Sequence, residues 1–129
     1  MQDLFSIKGK TTLVTGGSRG IGEMIAGGFL ASGAKVYISS RKVEACDAAA
    51  ERLMKTFGGK CISLPGNVAE LDGISALVET LSEQEDKLDI LVNNAGVGWG
   101  APLEEFPEIG WDKVMDTNVK GVFFLIQQL

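Results

Sequence analysis

The sequence predicts an α/β fold, a doubly wound parallel sheet with helices on both faces. Three observations carry that expectation. Short β-prone runs alternate with apolar stripes at helical spacing, in the order β-α-β-α-β-α-β-α. Successive β runs are separated by enough chain for a helical crossover, which joins parallel strands rather than a hairpin. Glycines number 17 in 129 residues, about twice the usual share, and many stand where one run gives way to the next.

Thr11-Thr12-Leu13-Val14-Thr15 is the first strand and stops at glycine. Ile21, Met24, Ile25, Gly28 and Phe29 then recur at helical spacing, and Gly33 ends that helix. Val36-Tyr37-Ile38 is the second strand. Val43, Cys46, Ala50, Leu53 and Phe57 line the second helix, closed by Gly58-Gly59. Cys61-Ile62-Ser63-Leu64 is the third strand, ended by Pro65-Gly66, and Ile74, Leu77, Val78 and Leu81 stripe the third helix. Leu88-Asp89-Ile90-Leu91-Val92 is the fourth strand. A loop rich in Gly, Trp and Pro follows, from about Asn94 to Ile109, and a fourth helix runs from near Gly110 to the last residue.

That helix ends in Val119, Val122, Phe123, Phe124, Leu125, Ile126 and Leu129, with no Gly cap, basic turn or Pro after it. Four strands with an open edge and an apolar last helix read as the N-terminal half of a longer domain. The alternative is a natural half-domain completed by a partner. Repeats, linkers and low-complexity tracts are absent from the sequence.

Composition sets bounds. A chain of this length holds one domain, and 45% hydrophobic with 22% charged residues excludes wholesale disorder. The net charge of −5 is the wrong sign for a nucleic-acid binder. The charge is unevenly placed, however: residues 1–64 carry 9 basic and 5 acidic side chains, residues 65–129 carry 3 and 12. The first half can therefore attract an anion. No apolar run is long enough to span a membrane, and the start, Met1-Gln2-Asp3-Leu4-Phe5, lacks the basic and apolar regions of a signal peptide, so the chain reads as cytoplasmic. Cys46 and Cys61 fit no metal spacing and read as reduced thiols. The absence of histidine excludes Ser-His-Asp hydrolysis, Cys-His proteolysis and His-ligated zinc.

The most informative stretch is Thr15-Gly16-Gly17-Ser18-Arg19-Gly20-Ile21-Gly22, placed where the first strand becomes the first helix. Glycines let backbone approach a pyrophosphate without Cβ clashes, and the helix that follows offers free N–H groups and its positive dipole end. Strand before, helix after and a βαβ unit around it make a nucleotide-binding turn rather than a plain tight turn. An acid about twenty positions beyond the loop would mark NAD by binding a ribose 2′-hydroxyl. Here that region holds Ser40 and Arg41, with no carboxylate before Glu44. Of only three arginines, Arg19 and Arg41 fall where a 2′-phosphate would lie, and a guanidinium binds phosphate as a charged fork. They are either its ligands or solvated surface residues; the expected cofactor is NADP(H).

Asn93-Asn94-Ala95-Gly96 closes the fourth strand, at the carboxyl end where parallel sheets place ligands. It is a site, a structural turn, or both. On the fourth helix Asn118 shares a stripe with Trp111, Val114, Met115 and Val122, so it is expected to face inward. A buried amide needs partners, so Asn118 either satisfies a backbone group or builds a site. Trp99, Pro102, Phe106 and Trp111 flank the preceding loop as pocket lining or as packing, and no site is assigned to them.

The spacing G-x-x-x-G-x-G at Gly16, Gly20 and Gly22, followed in order by Asn67-Val68, N-N-A-G and Asn118, resembles the single-domain short-chain dehydrogenase/reductase family. The words Gly-Gly-Ser-Arg-Gly-Ile-Gly, Ile-Ser-Ser-Arg-Lys and Trp-Asp-Lys-Val-Met-Asp-Thr-Asn-Val look most like bacterial 3-oxoacyl-carrier-protein reductases. The resemblance implies a Rossmann-type sheet of which the first four strands are present, in order 3-2-1-4. It implies an NADP-dependent oxidoreductase moving hydride between nicotinamide and a small carbonyl or acyl substrate. It places Gly16, Gly20 and Gly22 in the phosphate loop, with the Ile21 N–H toward the pyrophosphate. It sets Ser18, Arg19, Ser40 and Arg41 at the adenosine ribose and its 2′-phosphate, and Asn67-Val68 at the adenine, with Asn replacing the family's Asp. By the same resemblance Asn93 mainly ties neighbouring strands together, while Asn94, Ala95 and Gly96 border the cofactor ribose. Asn118 matches the asparagine that holds a water in the proton relay. The family's catalytic Ser and Tyr-x-x-x-Lys are expected beyond the fourth helix; the one tyrosine, Tyr37, lies on the second strand and cannot serve. Pairing into a dimer or tetramer is a further family expectation, with neither nucleic acid nor membrane as partner. A non-catalytic NADP-binding or scaffold module is the competing reading.

Overall fold

A computed structural model describes residues 3–129. Four parallel strands form one sheet: β1 (Thr11–Thr15), β2 (Lys35–Ser39), β3 (Cys61–Ser63) and β4 (Ile90–Val92). Their order is β3-β2-β1-β4, as expected. Thr15 pairs in register with Ser39, and Val14 with Val92, so the carboxyl ends of the strands finish side by side.

Helices cross over between them: α1 (Gly20–Ala31), α2 (Val43–Phe57) and α3 (Leu71–Gln84). After β4 a long loop contains one 3-10 turn at Leu103–Glu105. Then α4 (Glu108–Met115) passes through a π turn (Asp116–Lys120) into α5 (Gly121–Gln128).

Alternation along the strands splits the core in two. Val14, Val36, Ile38 and Cys61 face α1 and α2, meeting Ala26, Leu30, Cys46, Ala49 and Leu53. Leu13 and Tyr37 face the other way, against Ile74, Leu77 and Leu81 of α3 and Leu125 of α5. Helices therefore cover both faces, the doubly wound arrangement the sequence implies.

The buried face of α1 differs from the expected stripe. Ile21 and Met24 are 70% and 74% exposed, and Gly22, Ala26, Gly27 and Leu30 are buried instead. Close packing chose this phase: a Cβ on Gly27 would lie 2.6 Å from the Phe57 ring of α2. Gly33, at φ +87°, follows α1, and the Ala34 and Gly33 amides close it with bonds to Phe29 and Leu30 in a Schellman pattern.

Among the described residues no helix is long and apolar enough to cross a membrane. Both cysteines are free and buried. Burial, with the neighbouring Cys46, pushes the Cys61 thiol up to about 12.

Candidate functional site

A cleft of about 790 Å³ opens at the carboxyl ends of β1, β2 and β4, beside the first turn of α1. This is where open parallel sheets bind ligands. Gly16, Ser18, Arg19 and Gly20 line it from the glycine loop. Gly16 and Gly20 take φ of +65° and +58°, the left-handed region that favours glycine. A Cβ on Gly20 would meet nothing within 4 Å, so glycine there serves the turn alone.

Gly22 has a different reason to be glycine. A Cβ at that position would lie 2.1 Å from the Gly16 carbonyl oxygen and 2.5 Å from the Asn94 side-chain nitrogen. Gly22 therefore lies beneath the loop and is buried, and neither it nor Ile21 lines the cleft. The contribution open to Ile21 is its backbone. The amides of Gly20, Ile21 and Gly22 have no backbone acceptor among the described residues, as the first turn of a helix dictates. With Arg19 as N-cap and no side-chain cap, α1 presents free donors beside the cleft.

Ser40, Arg41 and Lys42 line the cleft from the end of β2, together with Ala45 of α2. Three cations, Arg19, Arg41 and Lys42, thus surround a space that no Asp or Glu lines. Neither Arg19 nor Arg41 makes an ion pair among the described residues, whereas the third arginine, Arg52, pairs with Glu23. Lys42, next to Arg41 in the chain, reads from sequence as an ordinary helix-start lysine; the structure puts it on the cleft as well.

Asn67, Val68 and the loop after β4 line the cleft further along. The Asn67 side-chain oxygen accepts the Ala69 amide at 3.0 Å, an Asx turn that shapes its own loop. The side-chain nitrogen of Asn67 has no partner among the described residues and is the group left for a ligand. Val68 is fixed from below by α5: a Cβ on Gly121 would lie 2.2 Å from the Val68 carbonyl oxygen.

The N-N-A-G segment is stitched to β1 by a residue the sequence showed only as a strand end. The Thr15 hydroxyl oxygen accepts the Asn94 amide at 3.1 Å and the Ala95 amide at 3.0 Å, and it donates to Val92 O at 3.3 Å. The Asn94 side chain donates to Gly16 O at 3.2 Å. Among the described residues Thr15 and Asn94 tie this segment to β1, and Asn93 is exposed and makes no side-chain hydrogen bond. Asn94, Ala95 and Gly96 all line the cleft.

Asn118 does not face inward; it is exposed. Its carboxamide nonetheless grips the loop from both sides, accepting the Val97 amide at 3.0 Å and donating to Val97 O at 2.9 Å. The stripe Asn118 shares does not face inward as a whole: Trp111 and Met115 of α4 are exposed too, and the π turn at Asp116–Lys120 interrupts the spacing between them and Val122. Thr117 of the same turn lines the cleft. Trp99 packs instead: a Cβ on Gly110 would lie 2.7 Å from its ring, and the Lys113 ammonium sits 5.9 Å from the ring centre.

Tyr37 is fully buried in the sheet and donates to Glu85 at 2.5 Å, while Lys35 pairs with the same carboxylate. Burial first, and then Glu85, raise its phenol above its ordinary value. Among the described residues no three His, Cys, Asp or Glu side chains gather to hold a metal.

A phosphorylated dinucleotide fits these groups. The loop has left-handed glycines and open space above Gly20, free helix amides, and cations without competing acids.

Comparison with known proteins agrees. The family model for short chain dehydrogenases matches residues 10–129. A rhamnolipid-biosynthesis 3-oxoacyl-[acyl-carrier-protein] reductase of Pseudomonas aeruginosa is 50% identical over 129 residues, all of this chain and 50% of that protein. Gluconate 5-dehydrogenase of Gluconobacter oxydans is 41% identical over 125 residues, 97% of this chain and 48% of that one. Among solved structures, the Pseudomonas aeruginosa RhlG/NADP active-site complex superposes with a TM-score of 0.93 at 50% identity, covering 100% of this chain and 50% of that one. L-sorbose reductase from Gluconobacter frateurii, complexed with NADPH and L-sorbose, gives 0.91 at 34% identity, covering 96% and 47%. The chain spans about half the length of the curated relatives it matches.

Proposed function

The chain belongs to the short chain dehydrogenase family, and from that premise we propose that it carries the coenzyme-holding half of an NADPH-dependent carbonyl reductase of the 3-oxoacyl type. The observation that supports this most is the cleft itself: three cations and no acid at the carboxyl ends of parallel strands, beside the free amides of α1. An NAD-specific site needs an acid near Ser40, and the cleft has none.

In this reading the amides of the Gly16–Gly22 turn hold the pyrophosphate. Arg19 and Arg41, with Lys42 beside them, hold the 2′-phosphate, and Ser18 and Ser40 border that ribose. Asn67 and Val68 hold the adenine, and Asn94, Ala95 and Gly96 the second ribose. When bound, the coenzyme supplies a hydride for the carbonyl carbon. Asn118, locked to Val97, sets the backbone beside the cleft and supports the proton relay. The serine and Tyr-x-x-x-Lys lie outside these 129 residues, so this stretch alone turns over no carbonyl. The two free, buried thiols suit the cytoplasm. The complete protein acts as a dimer or tetramer on a small carbonyl or acyl substrate.

The test is a reductase assay on protein expressed from its complete reading frame. A 3-oxoacyl thioester should be reduced with NADPH and poorly with NADH. Reduction of keto-sugars alone would reject the 3-oxoacyl assignment, and a preference for NADH would reject the coenzyme.

A further inference from the structure

We propose that Arg52, outside the cleft, is a positioning residue for coenzyme selection: it occupies Glu23 and so leaves Arg19 available to a 2′-phosphate. This rests on the reading of the cleft as an NADP(H) site.

Arg52 lies on α2, and Glu23 lies in the first turn of α1. The Arg52 guanidinium donates to both oxygens of that carboxylate, from Nε at 3.0 Å and from Nη2 at 2.7 Å. Nη2 also makes a long 3.4 Å contact to the Ser18 carbonyl oxygen, so the pair sits directly against the glycine loop.

Glu23 is otherwise badly placed for an anion site. It is four residues after Arg19, one helical turn, and its backbone amide donates to the Arg19 carbonyl at 3.3 Å. Arg19 is the extended N-cap residue of α1 and Glu23 sits against the same loop through Arg52 and the Ser18 carbonyl, so an unpaired carboxylate there would compete for the Arg19 guanidinium. It would also set a negative charge beside the free amides of α1. Arg52 removes both problems. The Glu23 carboxyl is held below its ordinary value by the Arg52 hydrogen bond first, against the opposing effect of burial, and the Arg52 charge adds to the lowering. Arg19 correspondingly makes no ion pair among the described residues and lines the cleft.

The Ser18 contact adds orientation. In a trans peptide the N–H points opposite the C=O. Drawing the Ser18 carbonyl toward Arg52 therefore turns the Arg19 amide away from Arg52. That amide has no backbone acceptor among the described residues.

The pair is half exposed, with 53% of the Arg52 side chain accessible. Exposed pairs contribute little to stability, so Arg52 variants should fold, and the effect should appear in coenzyme choice.

The experiment titrates NADPH and NADH into protein from the complete reading frame, comparing wild type, Arg52→Ala, Arg52→Lys and the double variant Arg52→Ala/Glu23→Gln. Arg52→Ala should weaken NADPH about fivefold and leave NADH within about twofold, a difference close to one kcal/mol. Arg52→Lys should retain most of the NADPH affinity, because the ammonium still occupies Glu23. The double variant should recover NADPH affinity, because no carboxylate is left to capture Arg19. Equal weakening of both coenzymes without recovery would make Arg52 a packing residue and overturn the proposal. Unchanged NADPH affinity in Arg52→Ala would overturn it too. Wild-type protein with no preference for NADPH would remove the cleft reading itself, before any variant is compared.

Discussion

The side-chain amide of Asn94 donates to the Gly16 carbonyl oxygen at 3.2 Å, fastening the start of the glycine loop to the end of β4. The fit depends on Gly22, whose missing Cβ leaves room for both groups. In Gly22→Ala the added methyl would fall 2.1 Å from that carbonyl oxygen, and backbone has to move. Overpacking of this kind costs about 1–3 kcal/mol. Denaturant unfolding should show that loss, and NADPH titration should show weakening by more than tenfold.

Thr15 gathers three hydrogen bonds at the junction of β1 and β4. Thr15→Val keeps the shape and removes the acceptor, leaving the Ala95 amide without its partner. A part-buried donor left unpaired costs about 1–3 kcal/mol. Amide hydrogen exchange should quicken at Ala95 and its neighbours while α2 and α3 stay protected.

Arg41 lines the cleft without an ion pair of its own. Its removal should therefore disturb the ligand more than the fold. A charge-assisted hydrogen bond is worth about 1.5–3 kcal/mol, so Arg41→Ala should weaken NADPH about tenfold to a hundredfold. NADH, which has no 2′-phosphate, should be nearly unaffected. Calorimetric titration of both coenzymes checks this.

Glu85 accepts bonds from Lys35 and Tyr37, which hold its carboxyl below the ordinary value of 4.5, Lys35 being the larger cause. A carboxylate with a lowered folded-state pKa contributes stability above its ordinary value and loses it as pH falls through the lowered one. Glu85→Gln should therefore be less stable than wild type at neutral pH. The gap should close as the pH drops below 4.5, because wild type then loses the same charge. Thermal unfolding across that range measures it.

Much of this was legible in the sequence. Strand positions, the parallel order and the glycine loop follow from alternation and glycine placement, which are local signals. Counts of apolar residues missed the phase of α1, because Gly22, Ala26 and Gly27 win the interface by being small. The orientation of Asn118 does not follow from spacing, because apolar spacing does not say that a face is covered, Trp111 and Met115 of the same stripe being exposed, and because a π turn interrupts the spacing at Asp116–Lys120. Thr15 and Arg52 act through partners far along the chain, 77–80 residues away for Thr15 and 29 and 34 for Arg52, and no pattern within one element shows such pairs.

The most direct test is a crystal structure with NADPH bound. The account predicts the pyrophosphate against the amides of the Gly16–Gly22 turn, with the Arg19 and Arg41 guanidiniums on the 2′-phosphate. A pyrophosphate lying elsewhere, or both guanidiniums turned into bulk water, would contradict it.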